Sequence, residues 1–234
     1  MTVLQGCDNI IPINANGGAE KKMLEPLKKR NNLIGPKVVE ALKKRHFEAY
    51  YVENACDVAA KVLELIPIEH SVSWGGATTI DQLGIKKLLA DKGYVLIDRD
   101  SAKNPDEREE LMHKALNCGT FLMSSNAITE EGELFNIDGK GNRVAALCYG
   151  PKNILIIAGV NKIVPDMDSA YSKVRSYTAP VNAMRFCDAT PCSKTGECGD
   201  CLSLQTICAQ FVETRICKPE GRIKVILVGE DLGI

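Results

Sequence analysis

Short apolar segments alternate with segments of helical periodicity along most of the chain, and this alternation is the feature that most limits the possible fold. The apolar segments lie at residues 48–52, 71–74, 94–98, 120–125, 153–159 and 224–229. Helical patterns lie at residues 36–47, 55–66, 77–92 and 105–118, the first of them starting at Pro36. Apolar strands separated by helices predict an α/β fold, with a mostly parallel sheet flanked by helices on both faces.

Two regions depart from this alternation. Residues 133–137 and 143–149 are joined by the turn-forming sequence DGKGN, which predicts an antiparallel β-hairpin inserted in the fold. Residues 1–35 contain EKKMLEPLKKRNN and are interpreted as a leading helical region packed on the outside. The main domain is then predicted to span residues 36–234, including a cysteine-rich loop at residues 187–217.

The composition argues against several classes of partner. The chain has 29 Lys and Arg residues against 30 Asp and Glu residues, a balance that attracts neither nucleic acid nor an acidic membrane surface. Its N-terminus lacks the pattern of a signal peptide, and no window approaches the roughly 18 apolar residues of a membrane span. We therefore expect a cytoplasmic protein with no nucleic-acid or membrane partner, in which the ten cysteines are kept reduced.

A strand that turns through two glycines into a helix is the first candidate site. In SVSWGGATTIDQLG, Gly75 and Gly76 follow the strand, and Thr78 and Thr79 open the helix. Such a turn leaves backbone N–H groups unpaired at the sheet edge, where they favour an anion. The sequence is neither a dinucleotide-binding nor a Walker motif, so we expect a small organic anion. A plain strand-to-helix connection with a threonine cap is the alternative.

The second candidate site lies in SSNAITEEGELFNIDGKGNRVAALCYGP, residues 124–151. Small polar and charged side chains follow a strand end and surround the predicted hairpin: Ser124, Ser125, Asn126, Glu130, Asn142 and Arg143. A carboxylate here is a candidate base or nucleophile, and Arg143 is a candidate clamp for a carboxylate or phosphate. The alternative is that TEEGE and DGKGN are only turns with solvated side chains.

Four cysteines lie close together in TPCSKTGECGDCLSLQTIC, residues 190–208. Cys198 and Cys201 form a C-x2-C pair, and Cys192 and Cys208 lie on either side of it. This spacing suits an iron–sulphur cluster, and zinc accepts the same four thiolates. Disulfides, or a cysteine-rich loop without a ligand, are the alternatives. We predict a metal centre, iron–sulphur ahead of zinc, with Cys187 as a substitute ligand.

Several collinear motifs resemble the lactate-utilisation (LUD) domain family. They are SVSWGGATTIDQLGI, LMSSNAITEEGELFNIDGKGNRVAAL, YGPKNILIIAGVNKIV, APVNAMR and GRIKVILVGEDLGI. The resemblance implies a NagB/RpiA/CoA transferase-like fold and a link to the oxidation of L-lactate to pyruvate, in which LUD proteins act beside iron–sulphur partner proteins. By position, it adds Asn161 and Lys162 to the expected anion site and makes Glu130 its acidic residue.

Two functions from different classes agree with these patterns. One is a redox component of lactate or related 2-hydroxy-acid utilisation, with an iron–sulphur cluster in the cysteine-rich loop and an organic anion at the sheet edge. The other is a non-redox enzyme acting on a sugar phosphate or an acyl thioester, with structural cysteines; a sensor of iron or oxygen is a third possibility. We expect Thr78 and Ser125 to share one pocket. If residues 130 and 131 are extended, one of the two glutamates faces inward and the other faces solvent, and the family resemblance implies that Glu130 is the inward one.

Overall fold

The computed structural model describes residues 23–186 and 189–234. The helices are α1 (Glu25–Lys44), α2 (Val58–Leu65), α3 (Thr78–Gln82), α4 (Ile85–Asp91), α5 (Pro105–Ala115), α6 (Asn142–Tyr149), α7 (Met167–Lys173), α8 (Ala179–Ala183) and α9 (Pro191–Thr195). The strands are β1 (Glu48–Val52), β2 (Ser71–Trp74), β3 (Val95–Leu96), β4 (Thr120–Met123), β5 (Ala127–Thr129), β6 (Leu134–Asp138), β7 (Asn153–Gly159), β8 (Ile163–Val164), β9 (Gln210–Thr214) and β10 (Ile223–Val228). A π-helical segment, Val174–Thr178, joins α7 to α8.

The main sheet has six strands, in the order β1-β10-β7-β4-β2-β3, and every pair is parallel. Strand β7 is buried at all its positions, as expected for a parallel strand covered on both faces. Its side chains alternate between the two faces, because Ile154 and Ile156 join one core cluster while Leu155 and Ile157 join the other. The predicted fold class, a mostly parallel sheet flanked by helices, is confirmed.

Helices cover both faces of this sheet. On one face, Val38 and Leu42 of α1 pack beside Leu147 of α6. On the other face, α2 contributes Val62 and α3 contributes Ile80. Within the part of the chain that the structure describes, no helix has the length and apolar character needed to cross a membrane.

A smaller four-stranded sheet, in the order β8-β5-β6-β9, lies beside the main one. Strands β5 and β6 form an antiparallel hairpin, β9 pairs antiparallel with β6, and β8 pairs parallel with β5. Ala127 and Phe135 of the hairpin pack with Ala170 of α7 and Val174 in a third core cluster. The fold therefore contains an inserted hairpin, although it is built from other residues than expected.

The predicted second strand of the hairpin is wrong, because residues 143–149 lie in helix α6. Val144 and Leu147, three residues apart, are both buried, as the helical period requires. At the end of α6, the Arg222 guanidinium donates to the carbonyl oxygen of Leu147 (2.6 Å), one of those that a helix end leaves unpaired, and to that of Ala146 (2.9 Å), which also accepts from the N–H of Gly150. The actual hairpin turn is TEEGE, where Gly132 adopts a φ of 83°.

Helix α1 begins earlier than the sequence pattern indicates. It starts at Glu25 with a proline in its first turn, and it continues through Pro36, which was the expected start. The helix therefore joins part of the predicted leading region to the first helix of the main domain. Residues 1–22 of that leading region lie outside the described residues.

Candidate functional site

A pocket of about 70 Å³ lies at the C-terminal edge of the main sheet. It sits over the ends of β7, β4 and β2, which are neighbours in the strand order. Eight predicted site residues line it: Gly76, Thr78, Thr79, Ser124, Ser125, Asn126, Arg143 and Lys162. The structure thus brings Thr78 and Ser125 into one pocket, as expected from the common edge that parallel strands share.

Lys162 is the most unusual residue of this pocket. It follows β7 in a short 3₁₀ turn and is only 2% exposed. Its Nζ has no hydrogen-bond partner among residues 23–186 and 189–234, although it borders the pocket. Burial, with a further contribution from Lys173, lowers the pKa of Lys162 to about 8, and Asp231 partly opposes that shift. A buried cation without a partner makes this pocket attractive to an anion.

Hydroxyl groups form the wall opposite the sheet. The Oγ1 of Thr79 donates to the Oγ of Ser124 at 3.5 Å, which ties the glycine turn to the end of β4. The Oγ1 of Thr178 is buried, lines the pocket and has no hydrogen-bond partner in the described part of the chain. These groups offer donors and acceptors to the polar atoms of a small ligand.

Arg143 does not act as the expected free clamp, because every N–H of its guanidinium already has a protein partner. Nη1 donates to Ser124 O (3.2 Å) and Asn136 Oδ1 (2.6 Å), Nη2 donates to Asn126 Oδ1 (2.9 Å) and Ile137 O (2.6 Å), and Nε lies 3.3 Å from Asp138 Oδ2. An arginine has five N–H donors, so none remains for a ligand. Arg143 instead holds the segment after β4 against β6 and thereby shapes the pocket wall.

Three predicted residues of the anion site lie beside the pocket instead of lining it. A Cβ on Gly75 would lie 2.9 Å from the Cδ of Arg143, so glycine permits a close approach of that side chain. Asn142 borders a neighbouring cavity. The side-chain amide of Asn161 pairs with the backbone of Leu232 through both its oxygen and its nitrogen, at 3.1 and 3.2 Å.

The expectation that Glu130 faces inward is wrong. Glu130 and Glu131 are both exposed in the turn between β5 and β6. The backbone N–H of Glu130 donates to Val164 O at 2.8 Å, which fixes the turn at the far end of β5 from Ser125. The carboxylate of Glu130 therefore gains no support as the base of this pocket.

Besides Ala77 and Ile234, sequence reasoning missed three polar residues that complete the pocket: Thr178, Asn182 and Arg185. They come from α8 and the residues on either side of it. The motif APVNAMR, which contains Asn182 and Arg185, was noticed for its family resemblance but not as part of a site. The helical period that places Asn182 and Arg185 on one side of the chain was the available signal.

The four cysteines of the loop also come together. Cys192, Cys198, Cys201 and Cys208 line a second cavity of about 170 Å³. These four cysteines are free thiols, and within the described residues no group of three or more Cys, His, Asp or Glu side chains is arranged to hold a metal ion. Burial, with smaller contributions from the other three thiols, raises the pKa of Cys208 to about 11. Cys187, the substitute ligand, lies outside the described residues.

Arg175 anchors the loop that carries Cys192, Cys198, Cys201 and Cys208, which we call the thiol loop. Its guanidinium pairs with the carboxylate of Asp200, which lies between Cys198 and Cys201. The same guanidinium lies over the rings of Tyr171 (5.9 Å) and Phe211 (5.7 Å), so the cation also stacks on an aromatic surface. This arrangement holds the cysteine pair against α7 and β9.

The fold and the pocket define an α/β protein with a small polar cavity at the carboxyl edge of a parallel sheet. The LUD domain model matches residues 35–228, so the chain belongs to the LUD domain family. The family expected from the sequence motifs is confirmed. No match was found among curated proteins.

Solved structures with a similar fold include a DUF162 family protein from Deinococcus radiodurans. That structure is 12% identical, covers 85% of this chain and 98% of its own, and aligns with a TM-score of 0.51. Weaker matches are eIF2B beta from Chaetomium thermophilum (15% identity, 49% and 44% coverage, TM-score 0.35) and ribose 5-phosphate isomerase A from Methanocaldococcus jannaschii (13% identity, 54% and 65% coverage, TM-score 0.31). The first match supports the fold, and the other two add nothing to that assignment.

Proposed function

We propose that the chain binds the carboxylate of a small 2-hydroxy or 2-oxo acid at Lys162, as a redox component of lactate-type metabolism. The observation that carries this proposal is the buried Nζ of Lys162, which borders the pocket and has no hydrogen-bond partner in the described part of the chain. A carboxylate would satisfy that cation with a charge-assisted hydrogen bond.

The size of the pocket favours a ligand of a few heavy atoms. Its volume of about 70 Å³ lies well below the 300–1,000 Å³ typical of drug-sized ligands. In this proposal, the carboxylate lies at Lys162, and the hydroxyl or carbonyl oxygen of the acid meets Thr178 and Ser124. Those two hydroxyl groups can each donate or accept, so the same wall accommodates the alcohol and the ketone form.

The thiol cavity is proposed to hold an iron–sulphur cluster through Cys192, Cys198, Cys201 and Cys208. Thiolates are the ligands that such clusters require, and all four side chains border one cavity of about 170 Å³. When bound, a cluster supplies one-electron transfer.

Helix α8 places the two cavities side by side. Ala179 and Pro180 line the thiol cavity, while Asn182 lines the Lys162 pocket. Both cavities therefore share one short helix as a wall. This proximity supports a role in which electrons from oxidation of the acid pass to iron–sulphur partner proteins.

Titration calorimetry with lactate and with pyruvate at pH 7 tests the anion site. We expect Lys162→Met to weaken binding by about 10- to 150-fold, because a hydrogen bond to a charged group contributes roughly 1.5–3 kcal/mol. Lys152→Met is the matched control, because Lys152 is exposed beside the opposite end of β7. This variant should bind both acids as the wild type does. Wild-type protein that binds neither acid would refute the carboxylate site.

Metal analysis of protein purified without oxygen tests the thiol site. We expect iron and acid-labile sulphide, with a visible absorption band, and loss of both in Cys198→Ser and Cys201→Ser. Cys148→Ser, an exposed cysteine on α6, should keep them. Zinc instead of iron would overturn the redox role, and absence of both metals would leave the non-redox small-molecule enzyme as the remaining function.

A further inference from the structure

A larger cavity, of about 440 Å³, adjoins the Lys162 pocket. The two share Gly76, Arg143 and Asn182 as a common wall. Three more cationic residues border the larger cavity: Arg99, Arg108 and Lys140. Its volume falls in the range of about 300–1,000 Å³ that small-molecule sites occupy.

Arg99 is partly buried in this cavity, and its side chain makes almost no hydrogen bonds. It follows β3, and its side chain is 15% exposed. Its Nε is buried with no hydrogen-bond partner in the described residues, and its Nη1 reaches only the sulphur of Met112, at 3.9 Å. Burial lowers the pKa of Arg99. Buried polar groups are nearly always paired, so an orphaned guanidinium points to a ligand.

The acidic residues near Arg99 are engaged elsewhere. Asp138 pairs with the Nε of Arg143 and also accepts from the backbone N–H of Gly141 at 2.9 Å. Asp100 accepts from Arg108 at 2.9 Å, whereas its distance to the Nε of Arg99 is 3.9 Å. The positive charge of Arg99 therefore has only a distant carboxylate to balance it.

Gly76 allows the guanidinium of Arg99 to lie against the glycine turn. A Cβ at this position would come within 2.9 Å of the Nη2 of Arg99. Apart from the two chain neighbours of Gly76, no other described residue has an atom within 4 Å of that Cβ, so a side chain at position 76 would clash with Arg99 in particular. The turn and the arginine together form the floor of the cavity.

We propose that this cavity binds the phosphoryl group of an organic phosphate at Arg99. The guanidinium still has N–H donors free, and its planar fork matches the oxygens of a phosphate. Lys140 adds positive charge for a dianion, which a monocarboxylate does not need, whereas the charge of Arg108 is balanced by Asp100. Phe186, Leu204 and Ile207 line the same cavity and supply an apolar wall for the organic part of the ligand.

Titration calorimetry of the full chain with inorganic phosphate, at constant ionic strength, tests this site. We expect the wild type to bind phosphate, and Arg99→Met to weaken phosphate binding at least tenfold. Arg30→Met removes an exposed arginine on α1 and should bind phosphate as the wild type does. Arg99→Lys keeps the positive charge but not the planar guanidinium, so we expect an intermediate loss of phosphate affinity. If circular dichroism shows that Arg99→Met is unfolded, Arg99→Lys replaces it as the test of the site.

The outcome separates this site from the proposed carboxylate site. Lys162→Met should lose lactate binding and retain phosphate binding, while Arg99→Met should do the reverse. The proposal is overturned if the wild type does not bind phosphate, or if phosphate binding depends on Lys162 and not on Arg99. Failure of lactate to bind the wild type leaves the phosphate result intact.

Discussion

At the scale of single residues, the buried ammonium of Lys162 destabilises the ligand-free protein. Its pKa is about 8 in the folded chain against an ordinary value of 10.5, so the unfolded chain binds more protons between those two pH values. The free energy of unfolding therefore rises with pH across this window, and below pH 8 the full cost applies. The shift corresponds to about 3 kcal/mol.

Lys162→Met should accordingly stabilise the protein at pH 7, by up to about 3 kcal/mol, because it removes a buried charge and keeps a similar side-chain volume. The gain should shrink to near zero as the pH approaches 10.5. Urea unfolding of both proteins across this pH range measures the difference. A variant that is less stable than the wild type at pH 7 would show that Lys162 is paired in solution.

The affinity for a carboxylate should depend on pH for the same reason. Below pH 8, Lys162 is already protonated, and lactate should bind with nearly constant affinity. Above pH 8, binding requires the uptake of a proton, so the affinity should fall by about tenfold per pH unit. Calorimetry at pH 6.5, 8.5 and 9.5 measures this change, and a flat profile would mean that another group holds the carboxylate.

At the scale of elements, helix α1 packs on β1 with little space between them. Gly35 is buried, and a Cβ on it would come within 3 Å of three ring atoms of Tyr51. The hydroxyl of Tyr51 also donates to the Oδ1 of Asn32 at 2.7 Å, which restrains the ring. The Nδ2 of Asn31 donates to Gly229 O at 2.9 Å, so α1 is tied to the end of β10 as well.

Gly35→Ala should therefore destabilise the protein. Alanine is better than glycine in a helix by about 1 kcal/mol, but overpacking of a filled core typically costs about 1–3 kcal/mol. Thermal unfolding measures the net loss, and Lys29→Ala on the exposed side of α1 should change little. In a Tyr51→Ala background the same substitution should become stabilising; destabilisation there would mean that Tyr51 is not the obstacle.

At the scale of the whole molecule, the thiol loop connects helix α8 to strand β9 of the smaller sheet and has little apolar surface buried of its own. Leu202 and Leu204 are each 98% exposed, and Cys198 is also exposed. The loop is held mainly by Arg175 and by the pairing of β9 with β6. Since metal binding contributes to folding free energy, a bound cluster should stabilise this loop in particular.

Hydrogen exchange before and after anaerobic loading with iron and sulphide measures this effect. We expect slower exchange at residues 189–209 and no change in α2, which belongs to the core of the main sheet. Cys201→Ser should abolish the slowing. Equal protection across the whole chain, or none in the loop, would place the metal elsewhere.

The parallel character of the main sheet, and the meeting of polar groups at one edge, could be predicted because both follow from local patterns. Apolar runs such as residues 153–159 predict buried parallel strands. The carboxyl ends of neighbouring parallel strands then lie at the same edge of the sheet. That rule predicted that Thr78 and Ser125, far apart in sequence, share one pocket, while Lys162 was added to it by the family resemblance.

The helical state of residues 143–149 could not be read from the turn that precedes them. Alternating apolar residues there fit either a strand or a helix, and Arg222, almost eighty positions away, completes the helix end. The exposure of Glu130 likewise depends on where β5 and β6 turn. Such contacts between distant parts of the chain are not encoded in local periodicity.

The sequence by itself determined which elements form and which polar side chains stand at their ends, because hydrophobic periodicity and turn residues act over a few neighbours. Only the tertiary structure decided which charges are satisfied. Arg143 has all its donors paired, while Lys162 and Arg99 are buried with donors left over. Pairing and desolvation depend on groups brought together from the whole chain, and those two effects decide where an anion would bind.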